Sequence, residues 1–289
     1  MFHVEPMINN KKNKILKAKD HLVSKEVFDI YWDPEHLVAS TDVKHISDLK
    51  AYYDSSAYIS HQSEPKNVIN ILYTWAREFM LRNKFKLIKK YLPKHKRILD
   101  IGCGTGSFLD FMKKKGYEVL GVENNKIAKA ACLKKDLKVL VSESDLDAQK
   151  FDLISLWHVL EHLERPDQNL SKYSEILHDD GTLVVAVPNF ESHDRLYYQG
   201  DWAALDVPRH LWHFTPQGLK KLAQENGFEC VEQHPLVLDI FYICFLSEKH
   251  RKKLFPLLRG VLKGIYFTLR SLFTKQHSSC VFIFKKQAP

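Results

Sequence analysis

Residues 98–106 read ILDIGCGTG, a short apolar strand that passes into a glycine-rich turn and then into a helix. Glycine permits the left-handed backbone of such turns and lets a ligand approach the main chain closely. The following helix presents free backbone N–H groups at its start. In a parallel α/β sheet this turn lies at the carboxyl edge, where ligands bind. The stretch therefore predicts a ligand site in a doubly wound fold.

Apolar strands and amphipathic helices alternate after this turn. The strands are predicted at 97–101, 118–122, 138–141, 151–157 and 182–187. The helices between them are predicted at 107–115, 126–134 and 166–177. Strands alternating with helices in this way predict a parallel sheet that is covered on both faces. A helix at 217–226 and strands at 228–233 and 280–285 follow.

The spacing of the glycines separates two kinds of nucleotide-like cofactor. The dinucleotide fingerprint is GxGxxG, but here the third glycine, Gly106, comes one position early and Ser107 stands where glycine is needed. Asp100 also precedes the first glycine by two residues. This DxGxGxG pattern resembles that of class I S-adenosylmethionine methyltransferases. The resemblance implies that the cofactor lies against Asp100 and the turn residues Gly102, Cys103, Gly104, Thr105 and Gly106.

Three further stretches occur in the order expected for the same enzymes. Glu123 and Asn124 follow the second strand, where a carboxylate can accept both ribose hydroxyls. Residues 151–162, FDLISLWHVLEH, resemble the fourth strand and its "VLEH" continuation, which implies that Trp157 and His158 flank the methionine part of the cofactor. Residues 177–189 resemble the family's fifth strand. By position, Ser144, Asp145 and Leu146 are expected at the adenine.

A block at 202–216, WAALDVPRHLWHFTP, resembles the "DVPRHLxHF" segment of the methyltransferase domain 23 group, which is related to ubiquinone-type O-methyltransferases. The resemblance implies an α/β, Rossmann-like class I fold: a mostly parallel seven-stranded sheet with an antiparallel C-terminal strand. His210 and His213 are candidate general bases, because neutral imidazole accepts a proton near pH 7. The alternative is that they hydrogen-bond the loop to the sheet.

Residues 52–61, YYDSSAYISH, resemble a block that precedes the domain in this group. Tyr58 and His61 are expected to contact the cofactor from a lid; ordinary helix packing is the alternative. Many relatives carry a zinc ribbon ahead of this block, but no cysteine precedes Cys103 in this chain. Thiolate-bound zinc is therefore not expected, and we predict no metal site.

The chain has 289 residues, a net charge of +8 and five cysteines without a CxxC pair. We expect a flexible tail at 1–19, an extension with lid helices at 20–92, and a methyltransferase domain at 93–289 with a helical insertion at about 236–275. An odd number of scattered cysteines fits a reducing compartment, and the first residues lack the apolar core of a signal peptide. The expected location is the cytoplasm.

The basic runs and the insertion leave the partners open. Lysines and arginines cluster near 11–19, 84–97 and 249–253, either as solvated faces or as a surface for an anionic partner; no nucleic-acid motif accompanies them. Residues 254–273 are an apolar helix with basic residues on one face. This segment is expected to be a cap over the acceptor, a partner-binding helix or an interfacial membrane helix. A monomer and a dimer both remain open.

Together these patterns predict an enzyme that transfers a methyl group from S-adenosylmethionine, leaving S-adenosylhomocysteine. The acceptor is expected to be a small molecule, glycan or lipid precursor, methylated on oxygen. Two alternatives remain: a non-catalytic binding protein with the same fold, and a nicotinamide-dependent oxidoreductase, which Ser107 disfavours.

Overall fold

The structure is a computed structural model that describes residues 13–53, 69–92, 96–146 and 149–287, with the backbone alone described at 69–76. The described strands are β1 (Asn13–Lys19), β2 (Val27–Asp33), β3 (Val38–Thr41), β4 (Arg97–Ile101), β5 (Glu118–Val122), β6 (Val139–Leu140), β7 (Phe151–Trp157), β8 (Leu177–Pro188), β9 (Trp212–Phe214), β10 (Phe228–Pro235) and β11 (Ser279–Lys286). The described α-helices are α1 (Ile69–Ile88), α2 (Ser107–Lys114), α3 (Lys126–Leu133), α4 (Pro166–Ile176), α5 (His193–Tyr198), α6 (Pro216–Glu225), α7 (Asp239–His250) and α8 (Pro256–Thr274).

The central sheet has seven strands in the order β10-β11-β8-β7-β4-β5-β6. The five strands from β4 to β8 pair in parallel. β11 runs antiparallel to both β8 and β10. The predicted fold is therefore confirmed: a mostly parallel seven-stranded sheet with one antiparallel C-terminal strand and helices on its faces. The middle of β7 is completely buried because both faces of the sheet are covered.

A second, antiparallel sheet of four strands has the order β1-β2-β3-β9. Its first three strands come from the N-terminal extension, and β9 comes from the long loop before α6. The prediction of a flexible tail at 1–19 is wrong for 13–19, because these residues form β1 and pair with β2. The three lysines of β1 are exposed, while Ala18 is buried. Residues 1–12 lie outside the described part.

The loop before β9 is fastened to the N-terminal sheet by a buried ion-pair group. The Arg209 side chain is 1% exposed, and its guanidinium lies 3.0 Å from Asp20 Oδ1 and 2.6 Å from Asp206 Oδ1. Asp20 also accepts hydrogen bonds from the backbone N–H groups of residues 22–24. The turn after β1 and the loop before β9 are thus fixed to each other by the pair of Arg209 and Asp20, both of which are buried from solvent.

The insertion after β10 is helical, as predicted, and forms a hairpin of α7 and α8. Glycines at the contact let the two backbones approach closely. A Cβ at Gly260 would lie 2.6 Å from Phe245 Cα, and one at Gly264 would lie 2.6 Å from a ring carbon of Phe241. Among the described residues, no helix combines the length and apolarity needed to cross a bilayer.

Candidate functional site

The glycine turn joins β4 to α2 at the carboxyl edge of the sheet. Gly102, Gly104 and Gly106 all have positive φ angles, 62°, 55° and 72°. A Cβ at Gly102 would lie 2.6 Å from Val159 and one at Gly106 would lie 2.5 Å from Leu137, whereas a Cβ at Gly104 would meet nothing within 4 Å. The turn is therefore packed closely on its inner side and open at Gly104, where a ligand can reach the backbone.

Cys103 and Thr105 take different positions in this turn. The Cys103 side chain is buried, and burial raises the pKa of its thiol above the usual range. The Thr105 carbonyl accepts a hydrogen bond of 2.7 Å from Lys135. The Cys103 side chain thus packs in the interior, while the backbone at Thr105 is held by α3 and its following turn.

Glu123 connects the glycine turn to the strand beside it. Its Oε2 accepts a hydrogen bond of 2.8 Å from the Gly104 N–H, and its Oε1 accepts one of 2.8 Å from the Asn125 N–H. Asn124 between them is exposed. The carboxylate therefore lies against the turn, and each oxygen keeps a further lone pair for a ribose hydroxyl.

Asp100 is buried beneath the turn and accepts a hydrogen bond of 2.5 Å from the Ser155 hydroxyl of the neighbouring strand. Burial raises the pKa of this carboxyl to about 7 from its ordinary 3.8. The native state therefore binds more protons than the unfolded state between these two values. Asp100 stabilises the fold at low pH, and this contribution is lost as the pH rises through 7.

We expect Asp100→Asn to reduce the loss of unfolding free energy between pH 5 and pH 8 without cofactor, because the amide cannot ionise. The amide oxygen can still accept from Ser155. Denaturant titration at both pH values measures the effect, and Asp180→Asn, at an exposed position, is the matched control. An Asp100→Asn protein with the wild-type pH dependence would contradict this assignment.

Trp157 and His158 lie at the end of β7. Each contacts a residue that the sequence analysis did not select as a site residue: Lys84 at Trp157 and Asp239 at His158. Lys84 of α1 lies over the Trp157 ring at 4.0 Å, and burial lowers the pKa of Lys84 to about 8. The buried Trp157 Nε1 has no hydrogen-bond partner among the described residues. A cation and an unpaired donor therefore face the region predicted for the methionine part of the cofactor.

His158 is held by two carboxylates. Its Nε2 lies 2.9 Å from Asp239 Oδ2 of α7, and its Nδ1 lies 3.4 Å from Glu161 Oε1. Burial opposes the charged form, but these two partners outweigh it and raise the pKa of His158 to about 10. His158 is therefore a cation at neutral pH, and α7 of the insertion contributes directly to this region through Asp239.

Glu161 is the buried centre of a second cluster. The residue is 1% exposed. Its Oε1 has the His158 cation at 3.4 Å, beyond a well-formed hydrogen bond, and among the described residues no donor forms a hydrogen bond with either carboxylate oxygen. Although burial opposes it, His158 lowers the pKa of Glu161, so the carboxylate stays charged. A buried carboxylate with free lone pairs is costly unless a donor completes it. The Glu161 carboxylate can therefore accept hydrogen bonds from a bound ligand.

His210 faces this carboxylate, as the first of the two candidate bases. Its Nδ1 lies 2.9 Å from the Ala204 carbonyl, which can only accept, so Nδ1 carries the proton. In the neutral ring Nε2 is then an acceptor, and it lies 3.9 Å from Glu161 Oε1. Two acceptors thus face each other, and an O–H group placed beside them could donate its one proton to His210 Nε2.

His162 completes the cluster beside His210, with ring centroids 4.5 Å apart. Its Nδ1 lies 3.0 Å from the Arg209 carbonyl and 3.1 Å from the Tyr53 hydroxyl, and burial lowers its pKa to about 4. Ligand atoms of Glu161, His162 and His210 lie within 4.8 Å of one another, close enough to hold a metal ion. Our expectation that no metal is bound stays a prediction.

His213 occupies a different environment from His210, although both line the recess that Glu161, Phe190 and Trp202 also line. Its Nε2 lies 2.9 Å from the Thr41 hydroxyl, which donates to the His210 carbonyl. Burial lowers the pKa of His213 well below its usual value. These contacts hold β9 against β3, as the structural alternative predicted; a catalytic role stays a prediction.

The remaining predicted residues lie at the edge or outside the described part. Ser144 and Asp145 lie on a short 3-10 helix after β6, capped by Ser142, and Leu146 follows it. This places them at the same edge as the glycine turn, and their contact with adenine stays a prediction. Tyr58 and His61 lie outside the described residues.

The glycine turn and the carboxylate of Glu123 thus lie together at the carboxyl edge of the parallel sheet. The profile of a family described as "Methyltransferase domain", the methyltransferase domain 23 family, matches residues 74–233, more than half of the chain. The chain belongs to this family. The predicted resemblance is confirmed, and with it S-adenosylmethionine as the cofactor type of the family.

Individual relatives match over part of their length. A ubiquinone biosynthesis O-methyltransferase of Pelagibacter ubique is 29% identical over 137 residues, covering 45% of this chain and 55% of that protein. One from Bradyrhizobium diazoefficiens is 26% identical over 159 residues, covering 50% and 63%. The chain thus spans less than two-thirds of these relatives. An S-adenosylmethionine-dependent methyltransferase structure from Thermotoga maritima is 18% identical, and the match covers 76% of this chain and 96% of that one. The TM-score is 0.50, which shows a shared fold.

Proposed function

We propose that this protein transfers the methyl group of S-adenosylmethionine to a hydroxyl oxygen of a small molecule, a glycan or a lipid precursor. The observation that supports oxygen as the acceptor atom is the pair of facing acceptors, His210 Nε2 and Glu161 Oε1, 3.9 Å apart. A hydroxyl group brings one donor hydrogen to this pair, and His210 Nε2 can accept it. The O-methyltransferase relatives agree with this choice of atom.

The cofactor, when bound, supplies a methyl group on a sulfonium, a leaving group that needs no activation. The protein must then align the acceptor oxygen and exclude water. In the proposed step the acceptor oxygen forms a bond to the methyl carbon, the carbon–sulfur bond breaks, and its electron pair stays on sulfur. The hydroxyl proton passes to His210 Nε2. The buried Glu161 carboxylate stabilises the imidazolium that forms.

The cofactor site and the transfer are tested separately. Calorimetry with S-adenosylmethionine and with NAD identifies the cofactor; binding of NAD alone would support the oxidoreductase alternative, and binding of neither would support the non-catalytic one. Transfer is then measured with methyl-labelled S-adenosylmethionine on alkyl dihydroxybenzoates, hexopyranosides and hydroxyl-bearing polyprenyl phosphates. Mass spectrometry of the product decides the linkage. An N-methyl or S-methyl product would contradict the proposal.

His210→Asn should lower kcat about 10²–10⁴-fold, the usual contribution of a general base. The asparagine amide can still donate to the Ala204 carbonyl, so the loop keeps its contact while the proton acceptor is lost. His213→Gln is the matched control, because its amide can still donate to Thr41, and it should retain activity. Equal losses in both variants would show that the histidines act through loop structure. Metal analysis of the active protein distinguishes a base from a metal-bound hydroxyl.

Lys84→Met should weaken S-adenosylmethionine binding about ten- to a hundredfold, because one charge-assisted contact to the carboxylate of the methionine part is lost. The aliphatic stem that packs near Trp157 is largely kept. Lys86→Met, at an exposed position on the same helix, is the control. Calorimetry of both variants measures the effect, and unchanged affinity in Lys84→Met would place the carboxylate elsewhere.

We also propose a cytoplasmic location. All five cysteines are free thiols in the structure, and burial raises the pKa of Cys103 and Cys132, which keeps them unreactive. This supports a reducing compartment. Fractionation of cells that express the tagged chain tests it; recovery from an oxidising compartment would contradict it.

A further inference from the structure

The two faces of α8 have opposite chemical character. The inner face consists of Gly260, Gly264, Phe267 and Ser271, which are buried. At 100° per residue these four positions fall within a narrow arc of the helix. They include the two glycines at the α7 contact. The inner face is therefore buried within the protein and packs in part against α7.

The outer face is apolar and exposed. Leu258, Leu262, Ile265, Leu269 and Leu272 are exposed and follow each other at intervals of three and four residues, directly opposite the inner face. Both ends of the helix extend this surface, since Leu254 is 81% and Phe273 88% exposed. An apolar face of this extent on a folded protein marks a contact surface.

The charged residues within α8 and around its ends in the sequence have one sign. From residue 249 to the C-terminus the sequence contains no aspartate or glutamate, while residues 249–275 contain eight lysines and arginines. Lys252, Lys253 and Arg270 take part in none of the ion pairs found among the described residues. Arg259, Lys263 and Arg270 form a basic flank on one side of the apolar arc. Within this flank Arg259 pairs with Glu248 of α7 at 2.7 Å, so Lys263 and Arg270 carry its net positive charge. The surface therefore matches an anionic partner.

A second copy of the chain is a poor match for this face. Packing two outer faces together would bring two cationic flanks close to each other, which costs free energy. A specific protein partner would find few polar groups to recognise, because Tyr266 is the sole hydrogen-bonding side chain within the apolar arc. An apolar helix face with a basic flank is instead the pattern of helices that lie in the plane of a membrane surface.

We propose that the outer face of α8 docks on an anionic lipid bilayer, with the apolar arc in the interface and the basic flank at the head groups. The helix lies on the bilayer and does not cross it. α7 connects this surface to the candidate site, because it packs under α8 and contributes Asp239 beside His158. Docking would hold the candidate site close to the bilayer. The proposed membrane contact does not depend on which acceptor, or which acceptor atom, is methylated.

The test is flotation of the full-length protein with vesicles of phosphatidylglycerol and phosphatidylcholine in equal parts, and with phosphatidylcholine alone. At 50 mM salt we expect at least about tenfold tighter binding to the anionic vesicles, weakened at 500 mM salt. The double variant Leu262→Glu/Leu269→Glu should bind about tenfold or more weakly. Leu133→Glu/Val231→Glu, at two exposed apolar positions on other elements, is the matched control and should bind like wild type.

Thermal unfolding and cofactor affinity show that both double variants are folded. Absence of flotation at 50 mM salt, or equal losses in both variants, would overturn the proposal. Light scattering without vesicles supplies the other decisive outcome. A wild-type dimer that Leu262→Glu/Leu269→Glu converts to a monomer, together with no vesicle binding, would assign the face to self-association.

Discussion

Glu123→Gln is expected to weaken S-adenosylmethionine binding about 100-fold. Two charge-assisted hydrogen bonds from the ribose hydroxyls, at roughly 1.5 kcal/mol or more each, are then lost or weakened. The carboxylate accepts from the N–H groups of Gly104 and Asn125, both at 2.8 Å. A glutamine would point its NH₂ group at one of these donors. It would also offer the ribose hydroxyls one acceptor atom instead of two. Calorimetry measures the change in Kd.

Glu118→Gln is the matched control for this prediction. Glu118 begins the same strand at the opposite edge of the sheet, is exposed, and pairs with Arg97 at 2.9 Å. Loss of such a surface pair changes stability by at most about 1 kcal/mol, and cofactor affinity should stay within about twofold of wild type. If Glu123→Gln binds the cofactor as tightly as Glu118→Gln, the ribose does not lie on Glu123.

Arg209→Met is expected to lower the free energy of unfolding by about 3–5 kcal/mol, the usual cost of removing one partner of a buried ion pair. Methionine fills much of the volume, but Asp20, which is completely buried, loses its cation. Asp206 loses the same partner. The turn after β1 and the loop that carries His210 would no longer be held together. Equilibrium denaturation in urea at pH 7 measures the loss.

Arg82→Met serves as the comparison, because Arg82 forms an exposed pair with Glu78 at 3.0 Å and should contribute less than about 1 kcal/mol. Adding Asp206→Asn to Arg209→Met should recover part of the stability, since one uncompensated charge is then removed. A loss below about 1 kcal/mol for Arg209→Met would mean that solvent reaches Asp20 and screens its charge.

The central sheet and the cofactor edge were predictable because each carries a local signal. Buried parallel strands are short apolar runs, and the turn at 102–106 needs glycines at left-handed positions. Glu123 follows from its position at the end of the adjacent strand. These signals extend over a few residues and do not depend on distant parts of the chain. For the same reason the four ordered motifs sufficed to predict the family.

The rest of the site depends on contacts between distant segments. β1 is basic and short, so it resembled a tail, and its partner β2 gives the pair its stability. Lys84 belonged to a charge run, and nothing in that run distinguished it from its exposed neighbours. Asp239 meets His158 across 81 residues. The approach of His210 to Glu161 could not be predicted, because it depends on the path of the loop before β9, which a single sequence does not specify.

The pairing of β9 with β3 has a consequence for how acceptor selectivity can change among related proteins. Thr41 and His213 are 172 residues apart, yet their contact, together with the Thr41 bond to the His210 carbonyl, fixes the backbone that carries His210 to β3. Under the proposed function, an acceptor that needs a shifted His210 ring would require compensating changes in the first fifty residues. Swapping the 202–216 segment between relatives should therefore transplant selectivity only when the matching N-terminal strands travel with it.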